Sequence, residues 1–168
     1  MKTRYRLLAQ RIRDEVAELE RTVATVSRHW QRFKKARTDR DAYLNSVALN
    51  LHSFYNGIER VLELIAQELD GGTLGGEAWH AELLRQMRLT VSKVRPAVLS
   101  QESGDWLDDY RKFRHRVRNI YATNLAPDRM TCLIEDLPTG WRRVRHELDT
   151  FADFLEEVDR ANKEAEQE

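Results

Sequence analysis

The chain has 168 residues with 28 Lys+Arg against 28 Asp+Glu, so it carries no formal net charge. That balance excludes a partner chosen by bulk charge, and any contact with nucleic acid must come from a local patch of cations. The length is that of one domain with a real core, and a single cysteine, Cys132, excludes an internal disulfide framework and a cysteine-rich metal site.

The opening residues Met1-Lys2-Thr3-Arg4-Tyr5 lead into a charged amphipathic segment, not an apolar signal core. No stretch approaches the ~20 apolar residues that span a bilayer. The expectation is a cytoplasmic protein that does not enter membranes. Glycine and proline number only 7 and 3 and sit mostly in clusters, which leaves long helical runs. The first carries Leu8, Ile12, Val16, Leu19, Val23, Val26, Trp30 and Phe33, whose steps of three and four trace one helix face. The second starts behind the capping signal Thr38-Asp39-Arg40-Asp41. It continues through Leu44, Val47, Leu51, Phe54, Ile58, Val61, Ile65 and Leu69. Gly57 in its middle costs about 1 kcal/mol against alanine, which predicts close approach of another helix. Gly71-Gly72-Thr73-Leu74-Gly75-Gly76 ends the run.

A shorter helix is predicted from about Glu77 to Leu89, and Pro96 with residues 100–104 reads as a loop. A further helix is expected from about Asp105 to Ala122. Pro127 opens a brief helix as its first residue, where a missing amide hydrogen costs nothing. After Pro138-Thr139-Gly140 a last helix carries Trp141, Val144, Leu148, Phe151, Phe154, Leu155 and Val158. Residues 1–160 read as a single helical domain and 161–168 as a frayed acidic tail. With neither strand alternation nor internal repeat, the fold class is all-α, an antiparallel helix bundle with two long core helices. The sustained spacing of those two helices also suits packing against a second copy, and the pattern alone does not separate the two.

Positive charge gathers at residues 28–40 and again at Arg111, Lys112, Arg114, Arg116 and Arg118. The second cluster lies in Arg114-His115-Arg116-Val117-Arg118-Asn119-Ile120-Tyr121. At about 100° per residue, Tyr110, Phe113, Val117 and Ile120 share an apolar arc. Arg111, Arg118 and Tyr121 flank Arg114, and His115 and Asn119 lie further round. Forked donors, an imidazole, an amide and a phenol suit a phosphodiester, whose charge must be neutralised while an oxygen attacks it. The competing reading is an exposed basic face that balances an acidic one. One helix face holds too few groups for both proton transfers, so the catalytic reading depends on two copies meeting across a symmetry axis.

Three segments, in order, resemble one branch of the HepT-like ribonuclease toxins of the helical HEPN superfamily. They are Ala48-Leu49-Asn50-Leu51-His52-Ser53-Phe54-Tyr55-Asn56-Gly57-Ile58-Glu59-Arg60, then Gly76-Glu77-Ala78-Trp79-His80-Ala81-Glu82-Leu83-Leu84-Arg85-Gln86-Met87, then Phe113-Arg114-His115-Arg116-Val117-Arg118-Asn119-Ile120-Tyr121. The resemblance covers about residues 5–125. It implies a HEPN-like bundle that dimerises, with paired motif helices forming a metal-independent endoribonuclease site. It also implies a nucleotidyltransferase antitoxin that silences the toxin by adding AMP to a tyrosine, and it implies no cofactor.

The family pattern R-x-x-x-x-H-x-Y places Arg114 at the arginine and Tyr121 at the tyrosine, which makes Tyr121 the expected modification site. Asn119 stands where the histidine is expected, and asparagine cannot shuttle a proton at neutral pH. Either His115 has taken over the acid/base work, or the site holds RNA without cutting it well; the first is the expectation. Arg114 then steadies the phosphorane, His115 moves a proton and Asn119 orients the phosphate. Arg111, Arg118 and Glu59 are expected in support, with Glu59 buttressing an arginine of the motif helix. The alternative function is a non-catalytic helical module that docks to a nucleotidyltransferase or to RNA and is itself AMPylated.

Two other arrangements weigh less. Glu77-Ala78-Trp79-His80 has the Glu-x-x-His spacing of carboxylate-bridged metal bundles, which need the motif twice; it occurs once, so no metal is expected and His80 reads as a helix-cap or surface group. Trp141-Arg142-Arg143-Val144-Arg145 could meet RNA by charge and stacking, but Trp141 reads better as a packing anchor.

Overall fold

The computed structural model describes residues 2–72, 75–117 and 126–167. Among the described residues there are five α-helices and no strand beyond an isolated bridge between Val91 and Arg95. The helices are α1 (Lys2–Lys35), α2 (Arg40–Leu69), α3 (Trp79–Met87), α4 (Gln101–Val117) and α5 (Pro127–Ala165). Within these residues no helix is long and apolar enough to cross a membrane.

The apolar stripe of α1 from Leu8 to Phe33 is buried throughout, as is that of α2 from Leu44 to Ile65, with Leu69 at the margin. The two stripes face each other antiparallel, which brings Leu19 against Gly57 and His29 to 2.5 Å from Ser46. A β-carbon on Gly57 would stand 2.7 Å from Leu19 Cδ2, so the mid-helix glycine does mark a close crossing. α5 runs antiparallel along the other side of α1. Glu20 on α1 accepts hydrogen bonds from Trp141 Nε1 at 2.6 Å and Arg145 Nη1 at 2.8 Å. Arg13 Nη2 donates to Asp153 Oδ1 at 2.7 Å further along. α1 is therefore the central element, and α4 packs across α2 and α5, with α3 beside it.

Three sequence expectations are corrected. Pro138 and Gly140 do not end a helix; both lie inside α5. Pro138 cannot donate to the carbonyl four residues back, but Ile134, Leu137, Trp141 and Val144 bury a continuous stripe across that position and hold the helix together. Gly140 is a seat for Trp106, whose Cε2 lies 2.0 Å from where a β-carbon would stand. Residues 101–104 are not loop but the first turn of α4, which Ser100 caps by accepting the Ser103 amide at 3.1 Å. Gly104 is allowed there because Arg88 lies flat against it, Nε 1.9 Å from the missing β-carbon. Asp39 takes a left-handed backbone (φ 56°) and makes no side-chain cap bond; its carbonyl accepts the Ala42 amide at 3.1 Å instead.

The segment between α3 and α4 is tied back to the end of α2 by a buried ion pair. Arg95 donates through Nε to Asp70 Oδ1 at 2.7 Å and through Nη2 to Asp70 Oδ2 at 2.6 Å. Its Nη1 also donates to the Leu89 carbonyl at 2.9 Å, and Gln86 Nε2 donates to Asp70 Oδ2 at 2.6 Å. This lock fixes where α3 and α4 sit on α2.

Candidate functional site

Phe54 on α2 is fully buried, with its ring edge-on to Trp106, Tyr110 and Trp141 at centroid distances of 6.1, 5.4 and 5.7 Å. That aromatic cluster joins α2, α4 and α5, and it fixes the register of α4 on α2. Further along both helices the contact turns polar. Arg114 of α4 is half-buried; its Nε donates to Asn56 Oδ1 and its Nη2 stands 3.8 Å from Glu59 Oε1. At that distance the Glu59 contact is an ion pair without a hydrogen bond.

Glu59 is only 6 % exposed, and a buried carboxylate needs partners. Its other oxygen, Oε2, accepts from His80 Nδ1 of α3 at 2.6 Å. The His80 ring stacks on Trp79 at 3.7 Å with 30° between the planes. Asn56 in turn donates from Nδ2 to His52 Nδ1 at 3.1 Å, which leaves its oxygen for Arg114. The result is a chain of contacts, His52–Asn56–Arg114–Glu59–His80, spanning three helices.

The surrounding charges are unequal. Burial pushes the Glu63 carboxyl up, Glu59 adds to the rise, and His80 and Arg114 oppose it. Glu63 also borders a cleft of about 370 Å³ shared with Arg11, Glu15 and Arg60. Burial drives the Tyr55 phenol far above its ordinary value, with Glu59 adding to the rise, so it stays neutral beside Arg111 and Arg114. Burial works against the charged form of Asp108, but hydrogen bonds from Arg111 and Lys112 outweigh it and hold the carboxyl low.

Of the residues singled out in the sequence, the fold brings Arg114 and Glu59 together. His115 is exposed on α4, one residue beyond Arg114, and Arg111 is half-buried and engaged with Asp108 at 2.6 Å. Arg118, Asn119 and Tyr121 lie outside the described residues. Two groups were missed. His80 is not a cap or a surface group but the partner of Glu59, and Asn56 accepts a hydrogen bond from Arg114. The segments around residues 56 and 80 belong to the family resemblance, yet nothing in their spacing pairs them. Trp141 is a packing anchor, 3 % exposed. Its basic neighbours are engaged as well, Arg143 with Glu102 at 2.6 Å and Arg145 with Glu20 at 2.8 Å.

The class of protein is thus an all-α bundle in which an arginine of α4 is held against a buried glutamate of α2. The sequence model of the HepT-like protein family matches residues 46–155, from α2 into the second half of α5. The chain belongs to that family, the HepT-like proteins of the HEPN superfamily, and membership points to a HEPN-type toxin–antitoxin module. The match begins later than residue 5, the start of the resemblance read from the sequence, and it runs beyond residue 125. No curated protein and no solved structure matches the chain.

Proposed function

We propose that this chain is the endoribonuclease toxin of a HEPN–nucleotidyltransferase pair, cutting RNA without a metal ion at a site completed by a second copy. The observation that carries this reading is the anchoring of Arg114 by Asn56 and Glu59. A guanidinium has five N–H donors in a fixed fork. Two neighbours orient it and leave donors over for the phosphate oxygens. A charge oriented in advance stabilises a phosphorane without reorganising during the reaction.

In this reading His115 moves a proton at the exposed side of the site and Asn119 orients the phosphate. Arg111 and Arg118 support RNA binding, and the products carry a 2′,3′-cyclic phosphate and a 5′-hydroxyl. The antitoxin adds AMP to Tyr121, whose new bulk and negative charge repel RNA. One feature favours a second reading, a non-catalytic module that binds RNA or the nucleotidyltransferase and is itself AMPylated: Asn119 stands in the histidine place of the family pattern.

The test is growth on induction together with purified protein on total RNA in chelator, wild type against Arg114→Ala. Cleavage and toxicity that vanish with Arg114 support the enzyme. A folded, dimeric wild type that leaves RNA intact and growth unchanged overturns it and leaves the binding module.

A further inference from the structure

We propose that His80 takes the ribose proton in that reaction, a proposal that rests on the ribonuclease reading above. Making a cyclic phosphate requires two proton transfers: the 2′-hydroxyl loses a proton and the leaving 5′-oxygen gains one. His115 is a group for one of them. Asn119 cannot serve as the other, because an amide does not exchange protons at neutral pH.

His80 has the features of an oriented base. A carboxylate only accepts hydrogen bonds, so the 2.6 Å contact between His80 Nδ1 and Glu59 Oε2 places a hydrogen on Nδ1, and the neutral form of the ring then carries its lone pair on Nε2. Trp79 stacks on the ring and restrains its plane. The side chain is still 24 % exposed, so the held imidazole remains open to a substrate. The same glutamate faces Arg114 Nη2 at 3.8 Å with its other oxygen, so base and phosphorane-stabilising cation hang on one buried carboxylate. In serine hydrolases a buried acid fixes the tautomer and orientation of a histidine that deprotonates a hydroxyl in the same manner.

Nε2 of His80 takes the 2′-hydroxyl proton, and the 2′-oxygen forms its bond to phosphorus. The bond from phosphorus to the 5′-oxygen breaks, and that oxygen leaves as a hydroxyl with a proton given by the His115 imidazolium, which regains one from water. The His80 imidazolium then returns its proton to water. Arg114 meets the negative charge that builds on the phosphorane oxygens.

The experiment uses the full chain and a short fluorogenic RNA in chelator, comparing wild type, His80→Asn and His80→Ala. An asparagine amide can still donate to Glu59, so His80→Asn keeps the contact and removes the base. Both variants are expected to cleave about 10²- to 10⁴-fold more slowly, with His80→Asn melting as wild type does and added imidazole restoring cleavage to His80→Ala. Wild-type cleavage by His80→Asn overturns the assignment and leaves the ribonuclease reading standing. A His80→Ala that melts early and is not rescued by imidazole, beside an active His80→Asn, shows a structural role and also overturns it. Intact RNA with wild type itself removes the ribonuclease reading and this proposal together.

Discussion

Glu59 and His80 stand 21 residues apart in sequence, and a 2.6 Å hydrogen bond between them fastens α3 to α2. With Glu59 only 6 % exposed, this contact is part of the fold as well as of the site. Glu59→Ala strands the His80 donor and removes the counter-charge of Arg114, and the loss is expected to cost about 1–3 kcal/mol. Chemical denaturation measures it. Glu59→Ala with wild-type stability would mean that the contact contributes nothing to holding α3 in place.

Gly140→Ala is expected to have the opposite sign from helix propensity. Propensity alone favours alanine in a helix interior by about 1 kcal/mol. A β-carbon here, however, would stand 2.0 Å from Cε2 of the Trp106 indole, a rigid ring wedged between α4 and α5. Overpacking of this kind costs about 1–3 kcal/mol. Because Trp106 also packs on Phe54, the displacement reaches the α2–α4 contact that carries Arg114. Gly57→Ala meets a Leu19 methyl at 2.7 Å, the flexible end of a side chain, and should cost less. Thermal melts of the two variants, compared directly, decide the order.

The legible parts of the fold were those set by periodicity. The stripes from Leu8 to Phe33 and from Leu44 to Ile65 are each one continuous apolar face, and each is buried. The illegible parts were set by contacts between distant residues. Pro138 and Gly140 read as a break because propensity describes an isolated helix, whereas α5 is held across that point by its buried stripe and by the fit of Trp106. Arg114 could be named from sequence because it takes the arginine place of the family pattern, and Glu59 because a carboxylate in a resembling segment suits an arginine partner. Asn56 and His80 could not, because they acquire their roles only when α4 and α3 fold onto α2. Arg143 and Arg145 look like a basic patch in the sequence, and Glu102 and Glu20 neutralise them in the fold.

The Asp70–Arg95 pair predicts a pH-dependent cost. Burial works against the Asp70 carboxylate, but the bonds from Arg95 and Gln86 outweigh it and hold the carboxyl below its ordinary 3.8. A folded-state value below the unfolded one adds stability that is fully present above about pH 3.8 and lost as pH falls through the folded value. Arg95→Met leaves Asp70 buried without its cation and should cost about 3–5 kcal/mol at neutral pH. Acidification should shrink the gap between variant and wild type, since protonating Asp70 removes the stranded charge. Urea denaturation across the acid range checks both parts, and a gap that stays constant with pH would rule out the ionic origin of the loss.

Glu63 predicts the reverse. Its carboxyl is raised above the ordinary 4.5, first by burial and then by Glu59, with His80 and Arg114 only partly compensating. A folded value above the unfolded one gives a contribution that is fully present below about pH 4.5 and lost as pH rises through the folded value. Once ionised, Glu63 therefore works against folding. Glu63→Gln keeps the size and removes that charge, so its urea midpoint should exceed that of wild type at neutral pH and converge with it in mild acid. The same substitution takes a negative charge from the neighbourhood of Arg114, so RNA should bind the variant more tightly, by a margin that narrows as salt screens the repulsion. Fluorescence anisotropy with a labelled RNA at two salt concentrations reads this directly. A neutral-pH midpoint at or below that of wild type would show that Glu63 is stabilised by contacts that offset its burial.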